Sequence, residues 1–266
     1  MNSNSPEDQP PLLDLQNIRV MRGEKIALDD FTLRVRAHEH LVVLGPNGCG
    51  KSTLIKTITR ECYPVVRDNS SMAILGKKSW NVFELRSLLG IVSNDLMSSC
   101  TGDSSGLDVV LSGFFSSTRI FPSHNVDPAH REMAEAALLR LGVSHLADRA
   151  VAEMSSGEAK RVLIARALVH EPQALLFDEP SNSLDIRAQH DLRETMRVLA
   201  RSGIGIILVT HELADIVPEI ERAVLLSNGR VLADGRKEEV LQAERMAKLF
   251  GLKVEVGRRN GYYQIC

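Results

Sequence analysis

No apolar run in this 266-residue chain approaches the ~20 residues needed to cross a bilayer, so a helical span of its own is excluded. The first residues, Met1 to Pro11, lack the basic-then-apolar order of a signal peptide and carry Glu7 and Asp8 instead. They read as a disordered N-terminus, and the chain as cytoplasmic. Cysteine is sparse: Cys49, Cys62, Cys100 and Cys266, with no two at zinc or redox spacing. In a reducing compartment these are free thiols. An excess of one charge is missing too. The formal net charge is −2, so no basic field argues for nucleic acid as a partner. Internal repeats and low-complexity tracts are absent. With 44% hydrophobic and 25% charged residues, the chain has the balance of a globular protein with room for a core and a small subdomain.

What is present is organised around Gly45, Pro46, Asn47, Gly48, Cys49, Gly50, Lys51, Ser52 and Thr53. The apolar run Leu41-Val42-Val43-Leu44 precedes this stretch and reads as a buried strand. Leu54-Ile55-Lys56-Thr57-Ile58 follows it at helical spacing. Strand, glycine-rich loop and helix make a phosphate-binding loop. Glycines let successive N–H groups converge on one anion, and the helix start adds its partial positive charge. Lys51 places a full charge near the β and γ phosphates, and the Ser52 hydroxyl suits Mg²⁺. Cys49 sits inside the loop as a small residue at a variable position.

Upstream, Leu13 to Val20 and Phe31 to Arg36 read as strands around a Gly23-Glu24-Lys25 turn. Downstream, Ala73 to Gly76 and Gly90 to Ser93 read as strands with a helix, Val82 to Leu89, between them. Ser98 to Gly106 has the composition of a turn-rich linker. Leu107 to Phe115 and Ala129 to Leu141 read as helices of a small inserted subdomain. From Ala174 onward strands and helices alternate: Ala174 to Phe177, Ile186 to Arg201, Ile204 to Thr210, a helix-like Glu212 to Glu219, then Ala223 to Leu226 and Arg230 to Leu232 about Asn228-Gly229. That alternation predicts a parallel sheet. Lys253 to Ile265 reads as a hairpin.

Three further stretches carry chemistry. Leu175-Leu176-Phe177-Asp178-Glu179-Pro180 is an apolar strand ending in two carboxylates, at the edge where parallel sheets collect ligands. One carboxylate suits Mg²⁺ and the other an attacking water; an acidic helix cap before Pro180 is the structural alternative. Ser155-Ser156-Gly157-Glu158 opens a helix. It fits both a capping box and an anion site. His211 follows the strand after the one carrying Asp178, within reach of the same edge, and suits a donor to a transferring phosphate.

In this order the motifs resemble the nucleotide-binding ATPase subunit of ABC transporters, over residues 12–250. Gly45 to Thr53 resembles the Walker A motif and Leu175 to Glu179 Walker B, which makes Glu179 the catalytic glutamate, with Lys51 and His211, the switch histidine, as its catalytic partners. Ser155 to Glu158 resembles the signature motif LSGGQ, and Ser183-Leu184-Asp185 the D-loop. The wording is most similar to single-domain bacterial ATPases of the molybdenum-transport type. The resemblance implies an α/β fold: a P-loop NTPase core with a mostly parallel sheet, an N-terminal antiparallel β subdomain and an inserted helical subdomain over about 95–170. Residues 251–266 become a hairpin-like extension. It implies ATP and Mg²⁺ as cofactors, with Ser52, Asn94 and Asp178 at the metal. It implies a homodimer whose copies meet head to tail, with Ser155, Ser156 and Gly157 of one facing the ATP of the other, and an integral-membrane permease that holds the ATPase at the inner face of the membrane. The alternative is a soluble ABC-type ATPase that acts as a regulatory switch without a permease.

The sequence departs from the family pattern in three places. Asn94 stands where the family has Gln, one methylene longer, which puts direct contact with Mg²⁺ in doubt. Ser156 replaces a glycine and Glu158 a glutamine. A carboxylate there repels phosphate unless it turns back to cap its helix. Arg22 stands where an aromatic residue normally stacks on adenine. A guanidinium plane can take that place, and an exposed surface arginine is the alternative.

Overall fold

A computed structural model describes residues 10–100 and 103–265. Residues 1–9 of the start expected to be disordered over 1–11, the linker residues Thr101 and Gly102, and Cys266 lie outside the described residues. β1 (Leu13–Arg22) and β2 (Lys25–Val35) form an antiparallel hairpin over the Gly23 turn, and β4 (Ser71–Ile74) adds to the free edge of β1. Between them come β3 (His40–Leu44) and α1 (Lys51–Ile58). The chain continues through α2 (Val82–Leu88), β5 (Leu89–Ser93), α3 (Asn94–Ser99), α4 (Gly106–Ser112), α5 (Pro128–Arg140), α6 (Ser156–Leu168), β6 (Ala174–Asp178), α7 (Ile186–Arg201) and β7 (Gly205–Thr210). It closes with β8 (Arg222–Ser227), β9 (Arg230–Arg236), α8 (Lys237–Val240), α9 (Ala243–Phe250) and the hairpin β10 (Val256–Arg259) and β11 (Tyr262–Ile265).

The main sheet is six-stranded in the order β5-β6-β7-β3-β8-β9, parallel except for β9. Its parallel strands are apolar on both faces because both are covered, whereas the antiparallel edge strand β9 is polar and partly exposed. Val42 and Leu44 of β3, with Leu175 and Phe177 of β6, face a core built with α4 to α7. Leu41 and Val43, with Leu176, face a second core shared with α1 and the antiparallel sheet. The helix starts follow side-chain capping. Ser105 with Asp108, Asp127 before Pro128, and Ser155 with Glu158 each satisfy first-turn N–H groups, and Asp185 caps α7.

The structure corrects several expectations. Glu212 to Glu219 is not a helix; only a short 3₁₀ turn, Leu213–Asp215, forms. The buried Asp215 carboxylate holds that turn by accepting from Ser181 and Thr210, a long-range bond that helical spacing does not reveal. The linker expected from Ser98 begins with the end of α3 and ends at the first residue of α4. Helix α9, unassigned from the sequence, buries Met246 and Leu249 against the first core.

Candidate functional site

The register of the sheet assembles the site. Ser93 of β5 pairs with Asp178 of β6, Asp178 with Val209 of β7, and Thr210 of β7 with Leu44 of β3. The next residues along each chain, Asn94, Glu179, His211 and Gly45, therefore emerge side by side at one sheet edge. Neighbouring parallel strands with adjacent C-terminal ends are where such folds bind ligands.

The phosphate loop leaves β3 under tight constraint. A Cβ on Gly45 would lie 2.3 Å from the Leu226 carbonyl oxygen, and Gly50 holds φ at 115°, so side chains are excluded where the loop turns. Gly50 caps α1 without any side-chain hydrogen bond, which leaves the helix start open to an anion. The Lys51 ammonium, buried, donates to the Gly45 and Pro46 carbonyls at 2.7 and 3.0 Å. It also lies 3.3 Å from Glu179 Oε1. The Cys49 thiol packs inside the loop, close to Gly45. It is 4% exposed and packed in the second core, and burial raises its pKa. Among Cys49, Cys62 and Cys100, the half-buried Cys62 is expected to react first with a maleimide. Peptide mass mapping after brief exposure checks this, and prior labelling of Cys49 would contradict it.

Glu179 takes a left-handed backbone, φ 43°, just past the end of β6. Such a conformation is uncommon outside glycine and concentrates at functional sites. Its N–H donates to the Val209 carbonyl at 2.8 Å, and its carboxylate accepts from Asn182 at 2.7 Å. Burial pushes the carboxyl up, but Asn182, Lys51 and His211 outweigh it and hold the pKa below the usual value. His211 Nδ1 stands 3.3 Å from Glu179 Oε1 without hydrogen-bond alignment, and it is a buried nitrogen with no partner in the protein.

Asp178 lies beneath. Burial first, then Glu179 and Asp95, push its pKa up to about 6 from 3.8. Between those values the folded chain holds the extra proton, so stability falls as pH rises through the window and the full penalty applies above about 6. Asp178→Asn is therefore expected to raise the melting temperature of the nucleotide-free protein at pH 8 by several degrees, roughly 2–4 °C per kcal/mol of relieved strain. At about pH 4 the gain disappears. Thermal scans at both pH values check the sign, and an equal shift at both would show that burial of charge is not the cause.

Asn94, Ser52, Asn47, Asp178 and Glu179 line one groove of about 600 Å³. In this arrangement the Asn94 amide is engaged at both ends: its Oδ1 accepts from Lys160 at 2.7 Å, and its Nδ2 donates to the Glu179 carbonyl at 3.3 Å. Ser155 and Gly157 lie elsewhere, in a cleft of about 220 Å³ shared with Leu184 and Asp185. Glu158 has turned back: its Oε2 accepts from the Ser155 N–H and hydroxyl at 2.8 and 2.9 Å, which removes the repulsion expected of it. Gly157 is required, since a Cβ there would come within 2.9 Å of Ala188. Arg22 is exposed and donates to Cys62 Sγ at 3.2 Å. Sequence reasoning missed Lys160 and Asp215, whose partners Asn94 and Ser181 lie far along the chain, and Asn182, which meets Glu179 across a turn of three residues.

The glycine-rich loop, its lysine and the paired carboxylates on a largely parallel sheet define a phosphate-binding-loop nucleoside triphosphatase. Residues 28–182 match the family profile described as ABC transporter. The chain belongs to that family as an ATP-binding protein, and it is an ATPase. It is 31% identical over 250 residues to an uncharacterized ABC transporter ATP-binding protein, YlmA, of Bacillus subtilis, covering 92% of this chain and 93% of that one. It is 34% identical over 255 residues to the hemin import ATP-binding protein HmuV of Pseudomonas aeruginosa, covering 93% and 95%. The structure of cbiO1 from Clostridium perfringens, described as part of the ABC transporter complex cbiONQ, superposes with a TM-score of 0.75 at 26% identity, covering 90% of this chain and 94% of that one. These relatives support the family; they do not single out the molybdenum-transport type.

Proposed function

We propose that two copies of the chain pair head to tail, hold ATP between the phosphate loop of one and the α6 start of the other, and drive a separate membrane permease from its cytoplasmic side. The observation that carries this is the division of the motifs between two clefts. Ser52, Asp178 and Glu179 line one groove, with Lys51 against Glu179, whereas Ser155 and Gly157 border another. A second copy brings the two halves together. The domain division follows: a core carrying the phosphate loop, and the helices between Asn94 and Leu168 carrying Ser155.

In the reaction, Lys51 and the open N–H groups of α1 take the phosphates. Glu179, held ionised, orients and accepts a proton from the attacking water. His211, beside Glu179 at the same sheet edge, serves as a donor to the transferring group. Positioning and electrostatics supply most of the rate in phosphoryl transfer. The Ser52 hydroxyl and the Asp178 carboxylate are the hard oxygen donors that fit Mg²⁺, and a cation would relieve the penalty on ionised Asp178. When bound there, Mg²⁺ would offset negative charge on the phosphates. Arg22, exposed and with one N–H on Cys62 Sγ, offers its guanidinium plane to the adenine ring.

The hemin-import relative supports import of a hemin-class chelate as the cargo. Copurification of the tagged chain from membranes with a multi-span protein tests the partner. Stimulation of that complex's ATPase by hemin tests the cargo. A chain recovered only as a soluble ATPase would favour the regulatory switch instead.

A further inference from the structure

Lys160 is 1% exposed, in the second turn of α6. Desolvating an ammonium is costly unless its hydrogen bonds are met and a charge lies near. Its Nζ donates to Asn94 Oδ1 at 2.7 Å, and Asp178 is the carboxylate whose field favours its charge. The orientation of the Asn94 amide follows from chemistry. An ammonium only donates, so it faces the amide oxygen; a backbone carbonyl only accepts, so the Glu179 oxygen faces Nδ2. The same α6 carries Ser155 and Gly157 at its start, and Lys160 also borders their cleft.

We propose that Lys160 is a positioning residue for hydrolysis: it fastens Asn94, whose other end holds the backbone of Glu179, and so ties the helix that faces the opposite copy to the carboxylate that orients water. The shorter arm of Asn94, which would leave a gap where the family's Gln reaches the metal, is put to a different use. Asn94 becomes a bridge between α6 and the end of β6. This rests on Glu179 acting in ATP hydrolysis.

Lys160→Met tests it, because methionine fills the volume without the charge or the hydrogen bond. Burying an apolar chain in place of an ammonium can leave stability unchanged or raise it, so a lysine with a merely structural role would move only the melting temperature. As a positioning residue, its loss lowers kcat about tenfold with KM for ATP within about twofold. In an Asn94→Ala background the same substitution adds less than about twofold, because the path is already cut. The free chain supplies a second readout: hydrogen exchange in peptides spanning 93–99 and 179–184 speeds up about tenfold in Lys160→Met, while β1 and β2 are unchanged. Lys160→Leu, which likewise removes both the charge and the donor, serves the same cycle if the methionine variant does not fold. Additive losses in kcat, or unchanged exchange in those peptides, overturn the proposal. An unaffected kcat overturns it as well, whereas retained turnover in a parallel Glu179→Gln variant would overturn the role of Glu179 and so separates the two failures.

Discussion

Glu179→Gln is expected to lower ATP hydrolysis about 10²–10⁴-fold, the range for losing a general base, while ATP affinity changes less than about threefold. The amide keeps the shape of the carboxylate and can still accept from Asn182. What it loses is the charge. In the wild type that charge is maintained against burial by Asn182, Lys51 and His211, which hold the pKa low. The group is therefore ionised throughout the neutral range, and its role does not depend on a proton lost near pH 7. Binding should survive because the phosphate contacts come from the loop and Lys51. With ATP bound and not consumed, the variant should elute as a dimer on gel filtration in ATP and as a monomer without it. Wild-type turnover in this variant would remove Glu179 from the mechanism.

Ser155→Arg is expected to cut hydrolysis about 10²–10³-fold, the size of effect for losing a preorganised donor at a transition state. The isolated chain should bind ATP as before, because Ser155 does not line the groove of its own phosphate loop. Part of the change is local. Ser155 accepts from the Glu158 N–H at 3.3 Å as the cap of α6, and losing a cap costs about 1 kcal/mol. A melting curve of the Ser155→Arg chain measures that term separately. Complementation supplies the sharper measurement. Mixed with a Lys51→Ala chain, Ser155→Arg should regain activity, since each mixed dimer contains one site built from an intact Lys51 and an intact Ser155. No recovery on mixing, or weakened ATP binding by the Ser155→Arg chain alone, would contradict the head-to-tail arrangement.

Much of this protein is local chemistry and was legible in the order of residues. The phosphate loop declares itself through glycines at fixed offsets between an apolar run and a helical one. The starts of α5, α6 and α7 are written in Asp127-Pro128, in Ser155 with Glu158, and in Asp185, because capping involves residues only a few positions apart. Strand identity followed from runs such as Leu175 to Phe177, which are apolar on both faces because a parallel sheet is covered on both. Local spacing also misled. Glu212 to Glu219 has a helical pattern, yet Asp215 is spent on Ser181 and Thr210, one of them 34 residues away.

The sequence alone determined that the chain has a phosphate loop, two carboxylates after a buried strand, and a serine-capped helix start, since each is set by near neighbours along the chain. Only the tertiary structure decided which of them meet. Strand order β5-β6-β7-β3 brings Asn94, Glu179, His211 and Gly45 to one edge, and no local signal specifies that order. The fate of Asn94 and Cys49 was decided there too. Asn94 is met by Lys160, 66 residues further along, and Cys49 is taken into a core formed by two sheets. Burial and pairing across such separations depend on how whole layers pack, and that is a property of the fold and not of any window of residues.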